Sequence, residues 1–274
     1  MPRPRVDILD TPTAKIVAVL GAVARLKTVS TSALADEIGL AVPTAHRICS
    51  ELERLGHLQR MPGTREWTVA RPLVELAANV LVSAGGNVVI DAILRDLTRA
   101  VGEMCSLAVQ VGDEVVYVAS AEPPHELTLS FRAGRKAPLV CTSSGRLFLA
   151  RYDDRTLDAY LQAASLQAFT RYSITNRKRL AEIIRRVRAQ GFAITNQEYM
   201  LHIVGAAVPV LGADGTFFGA LSIAAPDVRT SLTQLRGLLP QLRHAATRLA
   251  DACSARIAAP GRVDARPRRA SAVR

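Results

Sequence analysis

Long apolar runs are missing from these 274 residues: no stretch of about 18 apolar residues occurs, which argues against a membrane span. Met1 to Asp10 alternates proline and arginine with acids and lacks the apolar region of a secretory signal, so a cytoplasmic protein is expected. Cysteine is scarce. Cys49, Cys105, Cys141 and Cys253 are scattered without a CxxC, supporting neither a zinc site nor a disulfide frame, and reduced, partly buried thiols are expected. Gly-x-Ser-x-Gly, metal-spaced histidines, a phosphate loop and internal repeats are also missing. The expectation is no metal, no cofactor and no catalytic residue, with a hydrolase-like enzyme kept only as an alternative that needs groups gathered in space.

Positive charge is in excess, at +11, but its distribution weakens a direct nucleic-acid argument. Residues 1–85 carry ten Lys/Arg against eight Asp/Glu, and residues 86–255 nineteen against fifteen. Residues 256–274 carry six against one in an Arg-, Ala- and Pro-rich stretch that reads as a basic disordered tail. Such a tail adds non-specific attraction to phosphates. Any DNA reading must rest on a motif.

That motif is residues 31–60. Ala35 and Gly39, four apart, suit a close helix crossing followed by a tight turn. Beyond the turn, Ala45, Ile48, Leu52 and Leu55 form one apolar stripe, and Thr44, His46, Arg47, Ser50 and Arg54 lie opposite. A preceding helix over 13–27 places Ile16, Val19, Leu20, Val23 and Leu26 on one face. Ser30 or Thr31 caps the second helix, Pro43 suits the first turn of the third, and Gly56 ends it. Residues 58–60, a Met61–Thr64 turn and 65–69 then form a hairpin with Trp67 and Val69 inward. Residues 1–12 are expected to be flexible and 13–70 a winged helix-turn-helix domain.

A helix with one packed face and a polar, arginine-bearing face suits the DNA major groove. Thr44, His46 and Arg47 are the candidates for base edges, with Ser32 and Ser50 toward phosphates. Arg60 and Arg65 flank the wing tip, toward phosphates or the minor groove, or as incidental charge on a solvated hairpin. An ion pair with Glu51 is the alternative for Arg47. A protein-binding winged-helix module is the second alternative for the domain.

Residues 71–87 are expected to form a linker helix ending at Gly85-Gly86 that can also pair with a partner chain. The period then changes. Residues 104–111 and 114–120 read as a hairpin, 127–132 as a third strand, and 139–142 as an extended piece feeding a helix over 144–150. Helices over 153–163 and 176–189, a strand over 192–195, a hairpin of 204–211 and 217–224, and a helix over 231–254 complete an α+β domain at 88–255. The run Thr142-Ser143-Ser144 entering a helix offers backbone N–H groups and hydroxyls, which read either as a carboxylate cradle or as a plain N-cap.

In order and spacing these segments resemble the IclR family of bacterial transcriptional regulators. The resemblance is carried by Thr44-Ala45-His46-Arg47, Leu55-Gly56-His57-Leu58, Gly134, Pro138-Leu139, Thr142 to Arg146 with Leu149-Ala150, Thr175 through Gly191-Phe192-Ala193, and the hairpin Ala207–Val210 to Gly219–Ile223. It implies a winged helix that binds operator DNA and a C-terminal GAF-like antiparallel sheet with helices that binds a metabolite. It further implies homodimers or dimers of dimers controlling a catabolic operon, with RNA polymerase as a partner if the protein activates.

The resemblance brings Ser143, Ser144, Leu129, Ala137, Thr195, Gly205, Ser222 and Ala224 to the effector pocket. Members that bind very small keto acids often have Gly-Ala where this chain has Ser143-Ser144, and Ala224 can be serine. His202 stands where many members have glycine, available to pair with an anion or to serve structurally. Small residues at Ala137, Gly205 and Ala224 leave room for a carboxylate larger than glyoxylate or pyruvate, aromatic or otherwise mid-sized.

Overall fold

The computed structural model describes residues 11–61, 63–83, 88–124 and 133–258. The expected strand over 127–132, the Gly85-Gly86 break, the first ten residues and the tail beyond 258 lie outside them. The chain forms two compact units that divide near residue 85. No helix among the described residues is long and apolar enough to cross a membrane.

In the first unit, helices α1 (Pro12–Leu26), α2 (Thr31–Ile38) and α3 (Val42–Arg54) precede strands β1 (Leu58–Arg60) and β2 (Trp67–Val69), and α4 (Arg71–Ser83) follows. Ser30 is the N-cap of α2, its hydroxyl accepting from the Ala33 N–H, and Gly39 closes that helix in the left-handed conformation at φ 68°. The core joins Val19, Ala22 and Val23 of α1 to Leu34, Ile48, Cys49, Leu52, Leu58 and Trp67. Two details depart from the periodicity. Leu55, expected in the buried stripe, is 53% exposed because α3 ends beside it, and Cys49, closer to the stripe's centre, is fully buried. Ile16 and Leu26 lie at the margins of the α1 face and are exposed, while Ala22 packs inside.

The second unit opens with α5 (Val88–Val101), β3 (Met104–Val111), β4 (Glu114–Ala121), β5 (Lys136–Pro138) and α6 (Ser143–Leu149). It continues through α7 (Asp154–Ala163), α8 (Arg177–Gln190), β6 (Ala193–Asn196), β7 (Ile203–Leu211), β8 (Phe217–Pro226), α9 (Leu232–Gly237) and α10 (Leu239–Ala258). The six strands form one sheet in the order β5-β4-β3-β8-β7-β6. Successive side chains point to opposite sides of a strand. Met104, Ala108, Val115, Tyr117, Ala207 and Ala220 therefore pack with α6, α7 and α8. The buried residues between them, such as Cys105, Leu107, Val208 and Leu221, face the other way, and α5 and α10 pack on this sheet.

Two expectations are corrected here. The extended piece is Lys136–Pro138, paired with Glu114–Val116, and 139–142 is a turn. Pro138 has no N–H to continue the ladder. The chain then folds so tightly over α6 that a Cβ on Gly145 would overlap the Leu139 carbonyl. The expected helix over 231–254 is two helices, parted at Leu238, since Pro240 has no N–H for the Arg236 carbonyl and its ring crowds that carbonyl.

Candidate functional site

In the first unit the exposed side of α3 carries His46 and Arg47, with Thr44 and Ser50 half-buried beside them. The expected alternative partner of Arg47, Glu51, pairs directly with Arg54 at 2.5 Å, and the Arg47 charge adds to lowering its carboxyl. The Arg47 guanidinium has no hydrogen bond or ion pair among the described residues. His46 meets the edge of Trp67 at 6.4 Å between ring centres. Ser32 is exposed in the first turn of α2, its hydroxyl 3.1 Å from that of Ser30.

The two wing arginines are placed differently. Arg60 stacks on Trp67, 3.8 Å from the ring centre, and donates to the Arg65 carbonyl at 3.2 Å. It braces the hairpin. The Arg65 side chain is exposed, with no hydrogen bond among the described residues. Trp67 fixes the wing to the helices: its Nε1 donates to Thr31 Oγ1 at 2.8 Å, and its backbone forms a bridge with Val29.

In the second unit a cavity of about 40 Å³ lies between the sheet and α6. Its floor follows one register row across four strands, Thr195–Gly205–Ala224–Met104, with Ser222 beside it. Tyr117 of β4, Cys141, Thr142 and Ser143 form one wall, and Glu198, Tyr199 and Met200 of the β6–β7 turn form another. Gly205 is the narrow point. A Cβ there would stand 3.1 Å from Thr195 Oγ1 and 3.3 Å from Ser143 Oγ.

The polar groups divide into committed and uncommitted. Thr142 Oγ1 donates to the Pro138 carbonyl and accepts from the Gly145 N–H, and Ser222 Oγ donates to the Ser106 carbonyl. Neither the Ser143 nor the Thr195 hydroxyl has a hydrogen-bond partner among the described residues. Burial pushes the Tyr117 phenol and the Cys141 thiol up to about 12, so both are neutral. None of the described lining residues is Lys, Arg or His. Arg135 stands near, its guanidinium 3.8 Å from Met200 Sδ.

Glu198 is buried and forms an ion pair with Arg146, which lies wholly inside the protein. Arg146 also donates to the Val140 carbonyl at 3.3 Å and the Ile194 carbonyl at 3.4 Å. Burial holds the Glu198 carboxyl above the ordinary carboxylate range, with Arg146 pulling the other way. A buried pair of this kind costs desolvation and is costly to break on one side only.

Of the residues brought to this region by resemblance, Ser143, Thr195, Gly205, Ser222 and Ala224 line the cavity. Ala137 packs in the core with α6, and the Ser144 hydroxyl is buried without a partner outside the lining. The α6 cradle expected at Ser143-Ser144 is thus only half present, and Thr142 already caps a helix of seven residues. His202 does not reach the cavity. Its left-handed backbone (φ 63°) turns the imidazole outward, 69% exposed, with Nδ1 3.5 Å from Asp227. Leu129 lies outside the described residues. Tyr117, Glu198, Tyr199 and Met200 were not expected there; they fill space that small residues at Gly205 and Ala224 leave open, and no periodic signal marks them.

A model of the IclR helix-turn-helix domain matches residues 12–62, and one described as bacterial transcriptional regulator IclR C-terminal matches residues 78–251. The chain is 32% identical to the probable transcriptional regulator SauR of Cupriavidus necator over 79% of this chain and 86% of that protein. The crystal structure of Thermotoga maritima IclR shares the fold at TM-score 0.57, with 24% identity over 88% of this chain and 97% of that one. The inducer-binding domain of a double mutant of PobR from Acinetobacter, solved with 3-hydroxybenzoic acid, aligns at TM-score 0.56 and 27% identity over 59% of this chain and 95% of that one. With a helix-turn-helix unit followed by an effector-binding unit, both matched in order, this chain belongs to the IclR family of transcriptional regulators.

Proposed function

We propose that this regulator reads operator DNA with the exposed side of α3 and answers to a small carboxylic acid held in the cavity beneath α6, controlling a catabolic operon. Arg47 supplies an exposed guanidinium that shares Glu51 only at a distance, suited to a guanine edge, with His46 and Thr44 beside it. Ser32, Ser50 and Arg65 face phosphates, and Arg60 positions the wing. A homodimer or a dimer of dimers doubles these contacts. In support, α4 carries Leu76 and Val80, four residues apart and each about half exposed (52% and 53%), an apolar pair suited to a second chain.

The observation that carries the effector reading is the pair of uncommitted hydroxyls, Ser143 and Thr195, converging on Gly205. They donate to a carboxylate, and Arg135 adds positive potential near Met200. At about 40 Å³ the cavity takes a group of a few heavy atoms. A ring such as that of the acid bound in the PobR domain enters only as Tyr199 and Met200 move outward.

Mobility-shift titration with DNA from beside the protein's own gene tests the first half, with and without acids that raise the melting temperature. The expected result is a salt-sensitive complex whose affinity changes when a stabilising acid is added. A complex indifferent to every acid that binds, or no complex at low salt, overturns the reading.

A further inference from the structure

Glu198 is the acidic residue of the cavity wall among the described residues, and its placement is fixed from several sides. Arg146 binds its carboxylate from the interior. Ser173 Oγ donates to the Glu198 carbonyl at 2.6 Å and Thr170 Oγ1 to the Gln197 carbonyl at 2.7 Å. The His202 N–H closes the same turn on Gln197 Oε1 at 3.0 Å. A carboxylate so held cannot swing away from what enters beside it.

An ionised carboxylate offers about four acceptor directions. Arg146 accounts for one of them. A second carboxylate placed against Glu198 meets a like charge in a poorly solvated space, which disfavours it. A hydrogen-bond donor there is matched instead, and Ser143 and Thr195 on the other walls are left for the acid group. Resting on the effector-site reading above, we infer that Glu198 is the specificity-determining residue of the cavity. It accepts a hydrogen bond from a hydroxyl group of the ligand, so that the effector is a hydroxy acid and not a simple one.

Because Arg146 keeps Glu198 partnered even without a ligand hydroxyl, the discrimination expected is about tenfold, below that of a site whose polar group is left wholly unpaired. Isothermal titration of the full chain with 4-hydroxybutyrate against butyrate, and 3-hydroxybenzoate against benzoate, measures it, since each hydroxy acid holds its hydroxyl away from its carboxylate. Wild type is expected to favour the hydroxy acid of at least one pair by about tenfold. Glu198→Gln keeps an oxygen for Arg146 and is expected to cut that preference below about threefold. If that variant does not fold, Glu198→Asp, which withdraws the oxygens by one methylene, is read in the same way. Equal affinities within each pair in wild type, or an unchanged preference in a folded variant, overturn the assignment of Glu198 alone. Failure of all four acids to bind wild type overturns the acid-binding reading of the cavity, and this inference with it.

Discussion

On α3 the groups offered to a partner come from seven consecutive residues, Thr44 to Ser50, and stand in solvent on one side of a helix whose other side is core. In the cavity the corresponding groups come from α6, from five strands and from the β6–β7 turn, and most are buried. One surface is local, and a side chain there changes without disturbing its neighbours. The other is composite, and its shape is a by-product of the packing of small residues. Damage should therefore separate cleanly on α3 and spread in the second unit.

The largest effect expected is at Gly145, where any side chain meets the Leu139 carbonyl. Gly145→Ala should cost about 3 kcal/mol, the upper range for overpacking a tight core, and should abolish acid binding together with stability. Urea unfolding checks this. A variant as stable as wild type would mean that the α6 turn yields and that the cavity is softer than described.

Arg47→Ala is the counterpart on the local surface. Operator affinity should fall by about 1–3 kcal/mol while stability and acid binding stay unchanged, because Arg47 contacts a partner and not the core. Fluorescence anisotropy with a labelled operator measures the loss. Full affinity in the folded variant would move the reading face elsewhere. Arg65→Ala should mainly reduce the salt dependence of binding. Arg60→Ala should act through Trp67 and loosen the wing.

Much of this contrast follows from how sequence encodes each surface. The face of α3 was legible because a 3.6-residue period separates Ala45, Ile48 and Leu52 from His46 and Arg47. The alternating hairpin segments placed β3, β4, β7 and β8 as well, while Pro138 moved the extended piece to 136–138 and Pro240 split the last helix; the expected strand over 127–132 lies outside the described residues. Of the cavity, only the Thr142-Ser143-Ser144 run was legible from its own chemistry, as a cradle or a plain cap; the other residues were brought by resemblance. Glu198, Tyr199 and Met200 sit in a turn bracketed by left-handed Gln197 and His202, a conformation that nothing in those side chains announces. Of the two readings of His202, the same turn disfavours pairing with an anion in the cavity, since it sends the imidazole outward beside Asp227.

Gly205 tests the composite site without breaking the fold. A side chain there would press on Thr195 Oγ1, Ser143 Oγ and the Ile223 carbonyl, which a Cβ would meet at 3.1, 3.3 and 3.4 Å. Gly205→Val should lower the unliganded melting temperature, because these neighbours must give way, but by less than Gly145→Ala does. It should remove the stabilisation by a bound acid, about 1.4 kcal/mol at ten times Kd. A retained thermal shift in a folded Gly205→Val protein would place the acid in another part of the unit.

The smallest effect expected sets the two surfaces against each other by sign. Burial raises the Glu198 carboxyl, so the folded chain holds that proton more tightly than the unfolded chain does. Its contribution is fully present below the unfolded value and is lost as pH rises through the folded one. Glu51 on α3 is the reverse: the hydrogen bond from Arg54 lowers it, so its contribution is present above the unfolded value and is lost as pH falls through the folded one. Glu51 is also fully exposed, so salt should erase its effect, whereas the buried Glu198 should be little affected. Urea midpoints of wild type, Glu198→Gln and Glu51→Gln from about pH 4 to 7, at low and high salt, compare them. The advantage of wild type over Glu198→Gln should shrink as pH rises and persist in salt. The advantage over Glu51→Gln should grow with pH and vanish in salt. Slopes of the same sign would show that Glu198 is solvated as α3 is, and the cavity would then be open to water through its β6–β7 wall.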